Sequence, residues 1–167
     1  ITIVELENRL LPNIDEDISK EITRSFKKKN IKIYAGKKVL NLKNTEEGVL
    51  AEIEDLEQQV FDKVLISAGV KPAIDFFNKN KLNLEITDNN FIKIDNTCKT
   101  NIDNIYAVGD VTGVLMLAHT AYYQAEIAVS NIIGKNIKAD YSSIPFVLYT
   151  NLEAGSVGLK ESDIQDK

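Results

Sequence analysis

Metal and thiol chemistry need residues that this sequence nearly lacks. It holds one cysteine, Cys98, and one histidine, His119. A single thiol excludes an internal disulfide, and one cysteine with one histidine builds no metal cluster, so no metal site is expected within these residues. Sparse cysteine fits a reducing, cytoplasmic setting, and Cys98 itself reads as a small buried or half-buried residue. No apolar run reaches the roughly 20 residues that cross a bilayer, and no signal-peptide pattern opens the chain, so no membrane role is expected. Positive charge is also short. Lys and Arg number 20 against 25 Asp and Glu, a net charge of −5, which leaves no basic footprint for nucleic acid. The lysine cluster Lys27-Lys28-Lys29 suits the last turn of a helix, where cations meet the negative end of the dipole. Two further absences are a starting Met and a Gly-x-Gly-x-x-Gly turn, which occurs nowhere in the 167 residues. The reading takes the chain as an internal fragment, with that turn just upstream of Ile1.

What is present is an ordinary globular composition, 44% hydrophobic and 27% charged, long enough for one domain or for pieces of several. Ile1 to Val4 reads as a buried strand closed by Glu5. Ile14, Ile18, Ile22 and Phe26 recur every four residues on one helical face, with acids at 15–17 and lysines at the far end. Ile31 to Tyr34 alternates as a strand, so strand, helix and strand follow in parallel α/β order. Val39–Leu42, Val49–Ile53 and Gln59–Phe61 read as short antiparallel strands with a turn at Glu46-Glu47-Gly48. Lys63 to Ser67 reads as another buried strand, and Ile74 to Lys81 as a short helix after Pro72. Short strands are expected at Phe91–Ile94 and Ile105–Val108. A long helix follows from Leu117 to Ile133, with Ala118, Ala121, Ala125, Ala128 and Ile132 on one face and Gly134 as its C-terminal stop. Two strands in the tail, Ile144–Tyr149 and Ser156–Leu159, precede a helix beginning near Glu161.

Three places offer chemistry. Glu5, at a strand end, suits the two hydroxyls of an adenine ribose and repels a 2′-phosphate, which favours NAD over NADP; on its own it is equally well a solvated glutamate. Ser67-Ala-Gly-Val-Lys-Pro72 is a strand-end glycine loop where Gly69 lets a nucleotide lie against the backbone, or else an ordinary connection. Ile105-Tyr-Ala-Val-Gly-Asp110 runs a strand into bare backbone plus one carboxylate, which suits a polyol, though aspartate is also a common turn residue. The start of the next helix, Met116-Leu-Ala-His119, sharpens that third place. Its free N–H groups and the helix dipole favour negative charge such as a reduced flavin carries on its pyrimidine side. Together the carboxylate and the helix start fit FAD.

Five stretches in this order resemble the pyridine nucleotide–disulfide oxidoreductase family, in its lipoamide branch. They are Ile3-Val-Glu5 with Arg9-Leu-Leu-Pro12, then Ser67 to Pro72, Thr100 to Asp110, Met116 to His119, and Ile144-Pro with Tyr149-Thr150, Glu153 and Ser156-Val-Gly-Leu159. The resemblance implies a partial Rossmann-like NAD-binding domain with an antiparallel β-meander (1–92), a segment returning to an FAD-binding domain (93–142), and the start of an α+β dimerisation domain (143–167). It places Glu5 on the NAD adenosine ribose, Val39 near the adenine, and Ser67, Ala68, Gly69 and Val70 along the dinucleotide channel. It places Gly109 and Asp110 on the FAD ribityl or phosphate region, and Met116, Leu117, Ala118 and His119 against the flavin. The sequence departs from the family's usual Arg at Val70, Asn at Ala73, Lys at Thr120 and Pro at Leu152.

The implied parent enzyme passes electrons from a dihydrolipoyl dithiol through a redox disulfide and FAD to NAD+. Its implied partners are a second copy of itself and the lipoyl domain of a 2-oxoacid dehydrogenase or glycine cleavage complex. The family's Cys-x4-Cys pair and its His–Glu base are absent from these residues, so the chain carries cofactor contacts and no catalytic residue. The rivals are another flavoprotein disulfide reductase, such as a mercuric-reductase-like protein, and a non-catalytic α/β nucleotide-binding module.

Overall fold

The structure is a computed structural model that describes residues 1–75, 77 and 82–164. It is mixed α/β, with two compact units: Ile1–Ser67 together with Pro145–Lys167, and Ala68–Ile144.

The first unit opens as the hydrophobic spacing dictates. Strand β1 (Thr2–Glu5) lies parallel to β2 (Lys32–Ala35), with Thr2 opposite Lys32 and Glu5 opposite Ala35. Helix α1 (Glu16–Lys28) joins them. Ile14 and Ile22 are buried, as the four-residue recurrence requires, and Ser19 is buried beside them with its hydroxyl donating to the Leu10 carbonyl. The loop into α1 is held by Arg9, whose guanidinium donates to the carbonyls of Leu11 (3.1 Å), Pro12 (2.9 Å) and Ile14 (2.8 Å). Carbonyls that regular structure would have satisfied are satisfied by one side chain. The meander follows as an antiparallel sheet in the order β3 (Val39–Thr45), β4 (Gly48–Ile53), β5 (Gln59–Phe61), with Ala51 and Ile53 of the central strand buried. In the tail β6 (Phe146–Leu148) pairs antiparallel with β7 (Ala154–Ser156), two residues earlier than the strand expected at Ser156. A single 3-10 turn, Glu161–Asp163, stands where a helix was expected to begin.

Lys63 to Ser67 is not a buried strand. The segment lies outside regular structure, with Leu65 91% exposed and Ile66 72% exposed. The apolar run Val64-Leu-Ile66 reads as a strand covered on both faces, but among the described residues no strand pairs with it. The helix expected at Ile74–Lys81 lies largely outside the described residues; Ile74 itself is buried.

The second unit has little regular sheet. The strands expected at Phe91–Ile94 and Ile105–Val108 shrink to isolated bridges, Ile86 to Ile92 and Lys99 to Tyr106. Single backbone bonds continue the pattern, from Ile92 N–H to the Val111 carbonyl (2.9 Å) and from Ala107 N–H to the Cys98 carbonyl (3.0 Å). The pleat is interrupted because Cys98, at φ +65°, turns the chain inside an Asp95 loop, whose carboxylate accepts the N–H groups of Thr97 and Lys99. Two small clusters form the core: Ile74, Ile92 and Ala107, and Cys98, Ile127 and Ala128, with Ile94 packed against both.

Helix α2 (Ala118–Ile132) closes this unit. It buries Thr120, Gln124, Ile127 and Ala128, not the alanine stripe as a whole; Ala118 is exposed, and Ala121 and Ala125 are half-buried. Gly134, at φ +84°, ends it as expected. Its N–H donates to the Asn131 carbonyl (3.0 Å) and Lys135 N–H to Ser130 (2.9 Å), the paired bonds of a Schellman stop.

Candidate functional site

In the first unit, Glu5 ends β1. Its Oε1 accepts the Glu7 N–H at 2.9 Å, which fixes the carboxylate at the strand end. The Glu5 carbonyl accepts the Lys37 N–H at 3.0 Å, and the Glu7 carbonyl accepts the Gly36 N–H at 2.8 Å. These bonds stitch the loop after β1 to the loop that leads into β3, so Glu5 and Val39, 41% exposed at the start of β3, belong to one stitched edge. Gly36 sits at φ +69°, where a side chain would also press on the Asn8 carboxamide. Glu5 borders a cleft of about 230 Å³ floored by Ile3, Leu10, Ile22 and Phe26.

In the second unit, Ala68, Gly69 and Val70 are exposed and lie outside regular structure. Gly69 is at φ +92°, and a Cβ there would meet nothing within 4 Å, so the glycine serves the backbone angle and leaves open space beside it. Val70, Lys71, Pro72 and Ala73 line a second cleft, about 240 Å³, with Phe91, Asp110, Val111 and Met116. The end of the glycine loop and Asp110 of the Gly-Asp turn therefore line one open cleft with Met116.

The Gly-Asp turn is built tightly. Gly109 has φ +80° and ψ −160°, a region that only glycine occupies readily. Asp110 begins a single 3-10 turn, Asp110–Thr112, and is exposed. Thr112 donates to the Gly109 carbonyl through its N–H (3.0 Å) and its hydroxyl (2.8 Å). Gly113, at φ +69°, follows, and a Cβ on it would lie 2.5 Å from the Phe91 ring. The chain then reverses at Leu115, φ +60°, and enters α2 through Leu117 in extended conformation. No side chain caps this start, no acidic residue occupies the first turn, and Ala118 and His119 are exposed. The Thr120 hydroxyl is buried with no hydrogen-bond partner among the described residues.

Ser67 lies exposed at the end of the first unit, and Ala68 to Val70 open the second. What the sequence reading missed is Gln124, wholly buried on α2, whose Oε1 accepts the Gly109 N–H at 2.6 Å. A glutamine four residues from Thr120, among Ile127 and Ala128, was the available signal: a polar group in the stripe that packs inward. Cys98 is wholly buried, and burial pushes its thiol up from the usual range, which removes it from thiolate chemistry at neutral pH.

Known proteins are similar over nearly the whole chain. The dihydrolipoyl dehydrogenase of Mycobacterium leprae is 36% identical over 99% of the chain, and that of Chlorobaculum tepidum 38% identical over 96%. The chain spans only 37% and 35% of those two relatives. Among solved structures, LpdA from Mycobacterium tuberculosis matches 99% of the chain with a TM-score of 0.91 at 24% identity, and the flavoprotein disulfide reductase RclA from Escherichia coli with 0.86 at 24%. The chain covers 36% and 38% of those two, and at that identity they speak for the fold alone. Residues 1–125 match the family model described as pyridine nucleotide-disulphide oxidoreductase, a span that takes in β1, the meander, the cleft and the start of α2. By that match the chain belongs to the pyridine nucleotide-disulphide oxidoreductase family.

Proposed function

We propose that these residues are the cofactor-contacting middle of an FAD-dependent dihydrolipoyl dehydrogenase. In that reading residues 1–92 serve the NAD side, 93–142 the FAD side, and 143–167 begin the surface through which two copies associate. The observation that carries it is the cleft joining Val70 of the glycine loop to Asp110 and Met116. Its features suit a dinucleotide: a glycine-only backbone at Gly109, an exposed carboxylate for hydroxyls, and a helix start with no acid of its own. The half-buried Glu5, steadied by the Glu7 N–H, would accept the hydroxyls of the NAD ribose, with Val39 beside the adenine.

When bound, FAD supplies the two-electron relay between thiols and NAD+. The chain's own residues bind and orient. Asp110 would hold the ribityl or phosphate region of the flavin cofactor, and the backbone of Met116 to His119 would meet the ring with the positive end of α2. Ser67 to Val70 would line the channel. Lipoyl domains are the partners this activity implies.

The test uses the full-length protein. Asp110→Ala should lose FAD on dialysis, with retained flavin falling by roughly tenfold, while Glu5→Ala keeps its flavin and shows a raised KM for NADH. A fully yellow Asp110→Ala protein, or unchanged NADH kinetics in Glu5→Ala, refutes the matching half of the assignment.

A further inference from the structure

The turn that carries Asp110 is held from behind by a side chain to which the cofactor reading gives no task. Gln124 is completely buried, and a buried amide is stable only where each of its groups is bonded. Its Oε1 accepts the Gly109 N–H at 2.6 Å. Its Nε2 donates to Thr112 Oγ1 at 3.3 Å and to the Tyr141 hydroxyl at 3.1 Å. One acceptor and two donors are thereby engaged. Because the Thr112 hydroxyl also donates to the Gly109 carbonyl, one amide grips both ends of the turn, on either side of Asp110.

The grip is anchored in its turn. Tyr141 stands edge-on to Tyr123, with ring centroids 6.1 Å apart at 83°, and the Tyr123 hydroxyl accepts the Asp140 N–H at 2.9 Å. Gly109 sits outside any ladder at a glycine-only angle, so its N–H needs an acceptor from elsewhere, and Gln124 provides it. The carboxylate next to it stays exposed and faces the cleft with Met116. An apolar side chain would fill the inward stripe of α2 without needing three partners; the amide is suited to fixing where the turn points.

We infer that Gln124 is a positioning residue for FAD, setting the Gly109–Thr112 turn so that the Asp110 carboxylate is presented to the cofactor. This rests on the cofactor reading of Asp110. The measurement is the FAD dissociation constant of the full-length apoprotein, by flavin fluorescence, with the apoprotein melting temperature beside it. Gln124→Leu should weaken FAD roughly tenfold, and Gln124→Glu, which keeps an acceptor for Gly109 but loses the donor to Thr112, should restore only part of that loss. Asp110→Asn should also weaken FAD, and Gln124→Leu placed on top of it should add little, since a misplaced turn matters only while the carboxylate is there.

A Gln124→Leu loss that adds in full to that of Asp110→Asn overturns the inference. So does a lowered melting temperature with unchanged FAD affinity. Unchanged affinity in Asp110→Asn overturns the cofactor reading and the inference with it, whereas a loss in Asp110→Asn without one in Gln124→Leu overturns the inference alone. Should the leucine variant fail to fold, Tyr141→Phe takes its place. It strips Nε2 of one acceptor and should weaken FAD about twofold to threefold; an unchanged constant overturns the proposal.

Discussion

Helices α1 and α2 end alike and begin differently. Both stop in the same way: α1 through Asn30 at φ +59°, with Ile31 N–H bonded to the Phe26 carbonyl, and α2 through Gly134 at φ +84°, with Lys135 N–H bonded to Ser130. At their starts they diverge. Helix α1 has Glu16 and Asp17 in its first turn, Lys27 and Lys28 in its last, and a Glu16–Lys20 ion pair at 2.6 Å. Helix α2 has no acid in its first turn, no base in its last, and no side-chain cap. The first helix neutralises its own dipole and needs nothing more. The second has neither an acid at its start nor a base at its end; under the function proposed above, the bound flavin would supply the negative charge at that start.

Supplying that charge from the protein should have the largest effect. Ala118→Glu puts an acid at the start of α2, so the apoprotein should gain a few tenths of a kcal/mol while FAD binds about tenfold more weakly. The neutral Ala118→Gln, of similar size, should weaken FAD far less. Flavin titration and apoprotein melts read both, and equal losses in the two variants would reduce the effect to bulk.

Next in size are the shared stops. Gly134→Ala should destabilise by about 1 kcal/mol, because alanine pays for a left-handed angle that glycine adopts freely, and Asn30→Gly should stabilise by a few tenths. Urea unfolding checks both; a silent Gly134→Ala would mean that the second stop is not built as the first is.

The smallest effect belongs to α1. Lys20, bonded to Glu16, holds the Glu16 carboxyl below its ordinary value. A carboxyl with a lowered pKa in the folded state contributes stability above its unfolded pKa and loses it as pH falls through the folded one. Glu16→Gln should therefore lower the melting temperature slightly at neutral pH and not at strongly acidic pH. The pair is exposed, so high salt should erase the difference as well.

Much of this contrast was legible in the sequence. The spacing of Ile14, Ile18, Ile22 and Phe26, with acids before and lysines after, marks α1 because its whole logic is local. The meander was legible for the same reason, from alternation and a Glu-Glu-Gly turn. The unit around Asp110 was harder to read. Phe91–Ile94 and Ile105–Val108 look like strands, but among the described residues each keeps only one isolated bridge, to Ile86 and to Lys99, and Cys98 turns the chain at a left-handed angle between them. Lys63 to Ser67 looks covered because it is apolar, and cover is a property of neighbours that the run itself does not encode. On α2 the eye follows the alanines, whereas the inward stripe runs through Thr120, Gln124, Ile127 and Ala128. Gly109 and Asp110 stand out by residue type, but the amide that bonds Gly109 lies fifteen positions along the chain. Only the fold puts it there.

The ribbon at Leu65 and Ile66 bears on handling. Apolar and bare, it is the sort of surface on which a neighbouring copy gathers. Residues 1–167 should therefore tend to associate during purification, and a mild detergent or a fused solubility tag should reduce that loss, as size-exclusion chromatography would show.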